Sequence, residues 1–277
     1  MKNVKVSICI PAYNGEKYIC QAIDSILNQT FKDIEIIVVD DCSKDMTTKI
    51  VEKYMENNSY IKLYRNEKNL GLVGNWNKAV TYATGEYVKV MCQDDILDVR
   101  CIEKQVKALD ENKSVTLVTA DSNIINDSGK IVLRRRRKIK QGVSSGKDII
   151  KYSLKKGINI FGEPSIIMYR RDIISKIGIY NEKYGYVPDW DYSIRMLMEG
   201  DIFFIKEELF SFRISKNSET GRLFRKKIWK IIKEETEFFD YYRKSKELSL
   251  GYCDKINHNI NIIFRIIMKY FFIKFYI

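Results

Sequence analysis

Tyr87-Val88-Lys89-Val90-Met91-Cys92-Gln93-Asp94-Asp95 is the stretch on which the fold of this chain turns. It begins as an apolar, β-prone run and stops on two adjacent carboxylates, which neither strand propensity nor core packing calls for. As a central strand of an open α/β sheet, it would place Asp94 and Asp95 at its carboxyl end, the edge where such sheets hold their ligands. Neighbouring carboxylates repel each other. A hard divalent cation, Mg²⁺ or Mn²⁺, offsets that repulsion, because such ions are often held by one or two carboxylates with substrate phosphates completing the shell. The plain alternative is a solvated loop that opens the next helix, with Asp98 as its cap.

Upstream, strand and helix signals alternate. Val4–Ile10 reads as a strand broken by Pro11 and the turn-forming Asn14-Gly15. Ile19, Ala22, Ile23, Ile26 and Leu27 recur at helical spacing. Ile34–Val39 is a second strand, and it too ends in paired carboxylates, Asp40 and Asp41. A helix marked by Ile50, Val51, Tyr54 and Met55 leads to a third strand, Ile61–Tyr64. A polar loop over Asn66–Gly74 then opens a helix lined by Trp76, Ala79, Val80 and Ala83. This β-α-β-α-β-α-β order predicts a mostly parallel sheet with helices on both faces. One edge of it collects Pro11–Asn14, Asp40-Asp41 and Asp94-Asp95.

The composition narrows the chemistry. The chain has 277 residues, 45% of them hydrophobic, enough for a sizeable core, and 48 Lys+Arg against 36 Asp+Glu give a formal charge of +12. That excess favours anionic partners, whether phosphorylated ligands or acidic lipid surfaces. The six cysteines form no CxxC pair and read as reduced thiols, and MKNVKVSICIPAYN lacks the apolar length of a signal peptide, so a cytoplasmic location is expected. The only histidine, His258, lies near the carboxyl end, which leaves no His-based triad or zinc cluster in the main body. Neither GxGxxG nor GxxxxGK[ST] occurs, so the usual signatures of nicotinamide enzymes and P-loop ATPases are missing. The edge offers carboxylates instead. One can accept an imide N–H of a base, another ribose hydroxyls, and a third can hold the cation of a diphosphate.

VSICIPAYNGEKYICQAIDSILNQTF, IEIIVVDDCSKDMT, NLGLVGNWNKA, GEYVKVMCQDD and DWDYSIRMLMEG, in that order, resemble the successive motifs of the family 2 glycosyltransferases over roughly the first three-quarters of the chain. The resemblance implies a GT-A fold: a Rossmann-like, mostly parallel sheet with a small mixed sheet attached. It also implies an inverting, metal-dependent hexosyl- or N-acetylhexosaminyl-transferase that uses a nucleotide-sugar donor, UDP- or dTDP-linked by preference.

Carried over by position, Pro11, Ala12, Tyr13 and Asn14 border the nucleotide, Asp40 takes the base, and Asp41 supports it. Asn69, Gly71, Asn75 and Lys78 line the loop and helix start beside the nucleotide, where a helix amino terminus favours phosphate. Asp94 faces ribose or metal, and Asp95 is the direct ligand of Mn²⁺ or Mg²⁺. Gly162, Ser165, Trp190 and Asp191 fall on the acceptor side, and Arg213 on the diphosphate. Asp189 matches the family's general base, although Pro188 stands where the family carries glutamate and Ser215 where it often has histidine.

A hairpin turning at Asn126–Gly129 is followed by the basic run Arg134–Arg137, suited to an anionic acceptor such as a lipid-linked diphosphate. It lacks interleaved aromatics, so no nucleic acid is expected. The catalytic domain is expected over 1–221. A helical, basic extension over 222–277 follows, with Lys226, Lys227, Lys230 and Lys233 beside apolar residues and an apolar close, IIFRIIMKYFFIKFYI, too short and too charged to span a bilayer. Interfacial attachment to an anionic inner leaflet fits it. The expected role is transfer of a sugar to a glycan or lipid-linked glycan in cell-surface polysaccharide synthesis. The alternative is a catalytically degenerate nucleotide-sugar-binding or membrane scaffold protein.

Overall fold

The computed structural model describes residues 4–215 and 228–276, with side chains as far as 268. Its first half is β1 (Val6–Ala12), α1 (Ile19–Leu27), β2 (Ile34–Asp40), α2 (Thr47–Asn57), β3 (Ile61–Arg65), α3 (Gly71–Thr81) and β4 (Tyr87–Val90). Every residue of β1, β2 and β4 is buried, as expected of strands covered on both faces. The four strands run parallel in the order β3-β2-β1-β4, so β1 has its two crossover partners on opposite sides.

That order opens a cleft. The carbonyl of Cys9 accepts from Met91 N at 2.8 Å, which turns the odd residues of β1 towards β4. Pairing with β4 ends at Cys9↔Val90, whereas pairing with β2 continues to Ala12↔Asp40. Pro11, which has no N–H, therefore sits where β1 outruns β4 and no ladder bond is lost.

The second half continues the same sheet. It comprises β5 (Ile96–Leu97), α4 (Cys101–Glu111), β6 (Val115–Ile125), β7 (Ile131–Arg135), β8 (Gly142–Ser144), α5 (Gly146–Lys156), β9 (Met168–Arg170), α6 (Ile174–Ile177), α7 (Pro188–Met198) and β10 (Asp201–Arg213). Beyond β4 the order is β9-β6-β10-β5, mixed in direction, with β7 on β6 and β8 on β10. The attached mixed portion is thus an extension of one ten-stranded sheet rather than a second one. The strand read over Ile166–Tyr169 starts later, because Pro164–Ile166 forms a 3-10 turn whose Ser165 carbonyl accepts from the buried Lys89 Nζ at 2.7 Å.

Two helices close the described chain, α8 (Ile228–Arg243) and α9 (Tyr252–Tyr276). The domain boundary expected near 221, with Lys226 and Lys227, lies outside the described residues. The described part of the extension is not peripheral: Phe238, Phe239 and Tyr242 of α8 are buried in the main core, with Phe238 against Trp190. On α9, His258 is fully buried with Nδ1 2.5 Å from the Leu154 carbonyl of α5.

Burial pushes the His258 pKa down to about 4. The folded state therefore holds the neutral ring, while the unfolded chain takes up a proton near the ordinary value of about 6.5. Stability from this group is present above about pH 6.5 and is lost as the pH falls towards 4, by about 3 kcal/mol in all. Urea unfolding at both ends of that window should show the loss in the wild type and a flatter profile in His258→Leu.

Candidate active site

The carboxyl ends of β2, β1 and β4 carry the candidate site residues. Asp40 is fully buried at the last position of β2; its Oδ2 accepts from Ser43 N at 3.1 Å and lies 3.3 Å from Arg65 Nε, while its buried Oδ1 accepts from none of the described residues. An acceptor in that state costs about 1–3 kcal/mol unless a ligand N–H reaches it. Arg65 was not singled out in the sequence. Its place follows from register, because parallel pairing sets it beside Asp40.

Asp41 does something else. Its carboxylate accepts from Asn66 Nδ2 and Leu70 N at 2.8 Å each and from Gly71 N at 3.0 Å, which caps the start of α3. The helix end expected to favour phosphate is therefore already occupied by a carboxylate. Asn69 donates to the Asp41 carbonyl and accepts from Gly71 N. Gly71 has φ +76°, a conformation that strains any L residue. Asn75, 3% exposed, donates to the Val39 carbonyl and accepts from Asn66, so it pins α3 to the sheet. Lys78 lies about 10 Å further along the helix by its rise. There it is exposed, with Nζ 5.2 Å from the Tyr82 ring centroid, beside a 290 Å³ cavity shared with Glu182. The nucleotide roles expected for Asn75 and Lys78 do not fit these positions.

The loop after β1 is held by Gln93. Its amide accepts from Tyr13 N and donates to the Tyr13 carbonyl, both at 2.9 Å, fastening the two strand ends across the cleft mouth. A Cβ on Gly15 would lie 2.1 Å from Gln93 Oε1, so a larger residue there would displace the Gln93 amide from the Tyr13 backbone. The Tyr13 side chain is 45% exposed, and Asn14, at φ 47°, accepts from Lys44 N at 2.9 Å.

Asp94 and Asp95 differ sharply in surroundings. Asp95 is fully buried, with Oδ2 accepting from Ser165 Oγ at 2.6 Å and Oδ1 from Arg213 N at 3.0 Å. Burial and the neighbouring Asp94 carboxylate push its pKa well up. Asp94 is partly exposed, and among the described residues no other side chain donates to its carboxylate. Burial pushes its pKa up to about 6, against the pull of Arg213. By burial and hydrogen bonding, Asp94 is the more accessible carboxylate and Asp95 is braced behind it, the opposite of the order that motif position suggests. A partly exposed carboxylate backed by a second fits Mn²⁺ or Mg²⁺ shared with a diphosphate.

Arg213 is fully buried, with Nε on the Asp94 carbonyl, Nη1 on the Asn126 and Asp127 carbonyls, Nη2 on Gln21 Oε1, and its guanidinium over the Tyr18 ring. With so many donors bound to protein, it tethers the β6–β7 turn to the carboxylate pair instead of gripping a diphosphate. Its partner Gln21 was also missed in the sequence, and nothing local signals a contact across that separation.

Ser165 is likewise a brace: besides Asp95, its hydroxyl meets Cys92 N at 2.9 Å. Gly162, at φ +102°, offers its carbonyl to Asn159 Nδ2 at 3.1 Å, and the same Nδ2 reaches Asp189 Oδ2 at 2.9 Å. The segment 159–165 therefore runs from the proposed base to the carboxylate pair, bonded at both ends. Asn159 is a candidate site residue that the sequence concealed.

Asp189 is in the first turn of α7, partly exposed. Pro188 occupies the first helical position, where a missing N–H costs nothing. Glu234 of α8 accepts from Tyr186 N and Val187 N at 2.6 and 3.0 Å, so an acid from another helix caps this end. Trp190 and Asp191 leave the acceptor side for the core. Trp190 donates to Ser153 Oγ, and Asp191, 2% exposed, binds Arg195 Nε and the Tyr242 hydroxyl at 2.8 and 2.7 Å. The basic run is divided: Arg134 and Arg136 are exposed, while Arg135 and Arg137 are half-buried. Arg135 grips Glu163 with both arms at 2.6 Å, and this guanidinium outweighs burial to hold the Glu163 pKa down to about 2. Arg136 pairs with Glu208, and Arg137 donates to the Ala120 carbonyl.

The sequence profile of Glycosyl transferase family 2 matches residues 7–178. The chain belongs to that family. An uncharacterized glycosyltransferase of Methanocaldococcus jannaschii is 32% identical over 228 residues, 81% of this chain and 76% of the relative. Among solved structures, S. aureus TarS 1-349 in complex with UDP shares the fold with a TM-score of 0.67 at 22% identity, covering 94% of this chain and 71% of that 1-349 chain. The mannosyltransferase PcManGT from Pyrobaculum calidifontis, in complex with GDP-Man and Mn2+, matches with a TM-score of 0.63 at 15% identity over 95% and 75% of the two chains. The fold of this family 2 glycosyltransferase is accordingly the GT-A type. Among the described residues, no helix is long and apolar enough to cross a membrane.

Proposed function

We propose that this family 2 glycosyltransferase moves a sugar, with inversion, from a nucleoside-diphosphate donor to a hydroxyl of a glycan or lipid-linked glycan, at the cytoplasmic face of a membrane, in cell-surface polysaccharide synthesis. The observation that carries the donor half is the buried, undonated Asp40 Oδ1 on the same edge as the open Asp94 carboxylate. An N–H of uracil or thymine satisfies the first. Asp94, backed by Asp95, would hold Mn²⁺ or Mg²⁺, which when bound neutralises charge on the departing diphosphate. The fold relative TarS has been solved with UDP-GlcNAc, which favours a uridine donor.

In the transfer itself, the acceptor oxygen forms a bond to the anomeric carbon as the bond from that carbon to the β-phosphate oxygen breaks. Asp189 takes the hydroxyl proton, and the nucleoside diphosphate leaves with the bonding pair. One displacement inverts the centre. Asn159 fixes the orientation of the base by donating to its Oδ2.

A thermal-shift screen of nucleotide sugars with Mn²⁺ tests this reading, since a ligand of the folded state at a hundred times its Kd adds about 2.7 kcal/mol. A UDP- or dTDP-sugar should stabilise the protein. Asp40→Ala should weaken that donor by about tenfold to a hundredfold. A screen in which no nucleotide sugar raises the midpoint would rule out the donor assignment.

A further inference from the structure

Helix α9 is apolar on two sides. One side, with His258, Ile262 and Ile266, is buried against α5 and α8. The other presents Ile256, Ile260, Ile263, Phe264 and Ile267, each 46–65% exposed, at spacings that keep them on one face. This stripe contains no charge. The two cations of its stretch, Lys255 and Arg265, are turned to α8 and paired with Asp240 and Glu235. Ile228, Ile231 and Ile232 of α8 pack on Ile262 and Ile266, so Trp229, 82% exposed, emerges beside the same end of α9. A contiguous apolar strip with an aromatic at its margin marks a docking surface.

Charge decides its occupant. Residues 222–277 carry thirteen Lys and Arg against six Asp and Glu. A second copy would carry the same positive excess, whereas an anionic bilayer answers it. We propose that α9 lies in the plane of an anionic lipid surface, with the stripe among the acyl chains, Trp229 at the headgroup level, and the buried side of the helix still docked on α5 and α8. The catalytic unit is thereby held against the membrane by a surface helix. This deepens the reading of a membrane-borne acceptor, but its test makes no use of transfer.

The full chain is sedimented with phosphatidylcholine vesicles with and without phosphatidylglycerol, and Trp229 fluorescence is followed with brominated lipid. Of the three tryptophans, Trp76 and Trp190 are buried, which leaves Trp229 as the reporter. The wild type should bind only vesicles containing phosphatidylglycerol, with quenching. The doubly substituted chain Ile260→Glu, Phe264→Glu should bind by about tenfold less or worse. Its unchanged thermal shift with UDP and Mn²⁺ shows that the fold and donor site survive, so a failed donor reading and a failed membrane reading look different. Wild-type protein that ignores phosphatidylglycerol and leaves Trp229 unquenched overturns the proposal. So does a double variant that binds as well as wild type, or a dimer that the double variant dissociates while neither form binds lipid.

Discussion

Asp189→Asn is expected to lower turnover by about 10²–10⁴-fold while leaving the affinity for UDP unchanged, because the amide keeps the shape of the side chain but cannot take the acceptor's proton. Asn159 donates to that carboxylate, and the carboxamide of the variant can still receive the bond through its oxygen, so the start of α7 should hold its place. Single-turnover transfer combined with calorimetry of UDP binding separates the two quantities. Full turnover in the variant would mean that the base lies elsewhere, and Asp191, locked between Arg195 and Tyr242, is not positioned to replace it. Asn159→Ala makes the complementary case. Without the donated hydrogen bond the base holds its proton more readily, so the acidic limb of the kcat profile should move to higher pH while UDP affinity stays constant. A variant with lower kcat but an unmoved limb would reduce Asn159 to packing.

The second large effect should separate the adjacent aspartates. Asp94→Ala is expected to make the affinity for UDP the same with Mn²⁺ as with chelator, in a protein of nearly wild-type stability, because that carboxylate binds no other side chain among the described residues. Asp95→Ala should behave in the opposite sense. It strips partners from the Ser165 hydroxyl and Arg213 N–H inside the protein, at a cost of about 2–4 kcal/mol in urea unfolding. If Asp95→Ala were fully stable and lost its metal response while Asp94→Ala kept it, the assignment made from burial would be reversed.

The parallel half of the sheet was legible because its strands are buried on both faces and write themselves as unbroken apolar runs closed by turn residues. Their shared carboxyl edge could be placed from strand order alone, and with it Asp40 and Asp94. The long β10 was harder to see, since Lys206, Glu207 and Glu208 interrupt its apolar pattern where the register against β6 shifts. Polar residues near the site were the least legible. Whether Arg213 grips a ligand or a carbonyl depends on Gln21, Asn126 and Asp127; whether Asp191 faces a cleft or the core depends on Tyr242. Motif position identifies such residues but does not reveal what they touch. Motif position sets Ser165, Trp190, Asp191 and Arg213 at the substrate, whereas the hydrogen bonds they make brace the elements that carry Asp94, Asp95 and Asp189.

The family profile ends at residue 178, before α7 begins at Pro188. The cap on that helix comes from Glu234 and its inner brace from Tyr242. Anyone grafting this acceptor side onto another GT-A enzyme must move α7 together with α8 as one cassette. On the proposed reading, the donor edge from β1 to β4 lies inside the profile, while the groups that cap and brace the helix carrying Asp189 lie beyond it.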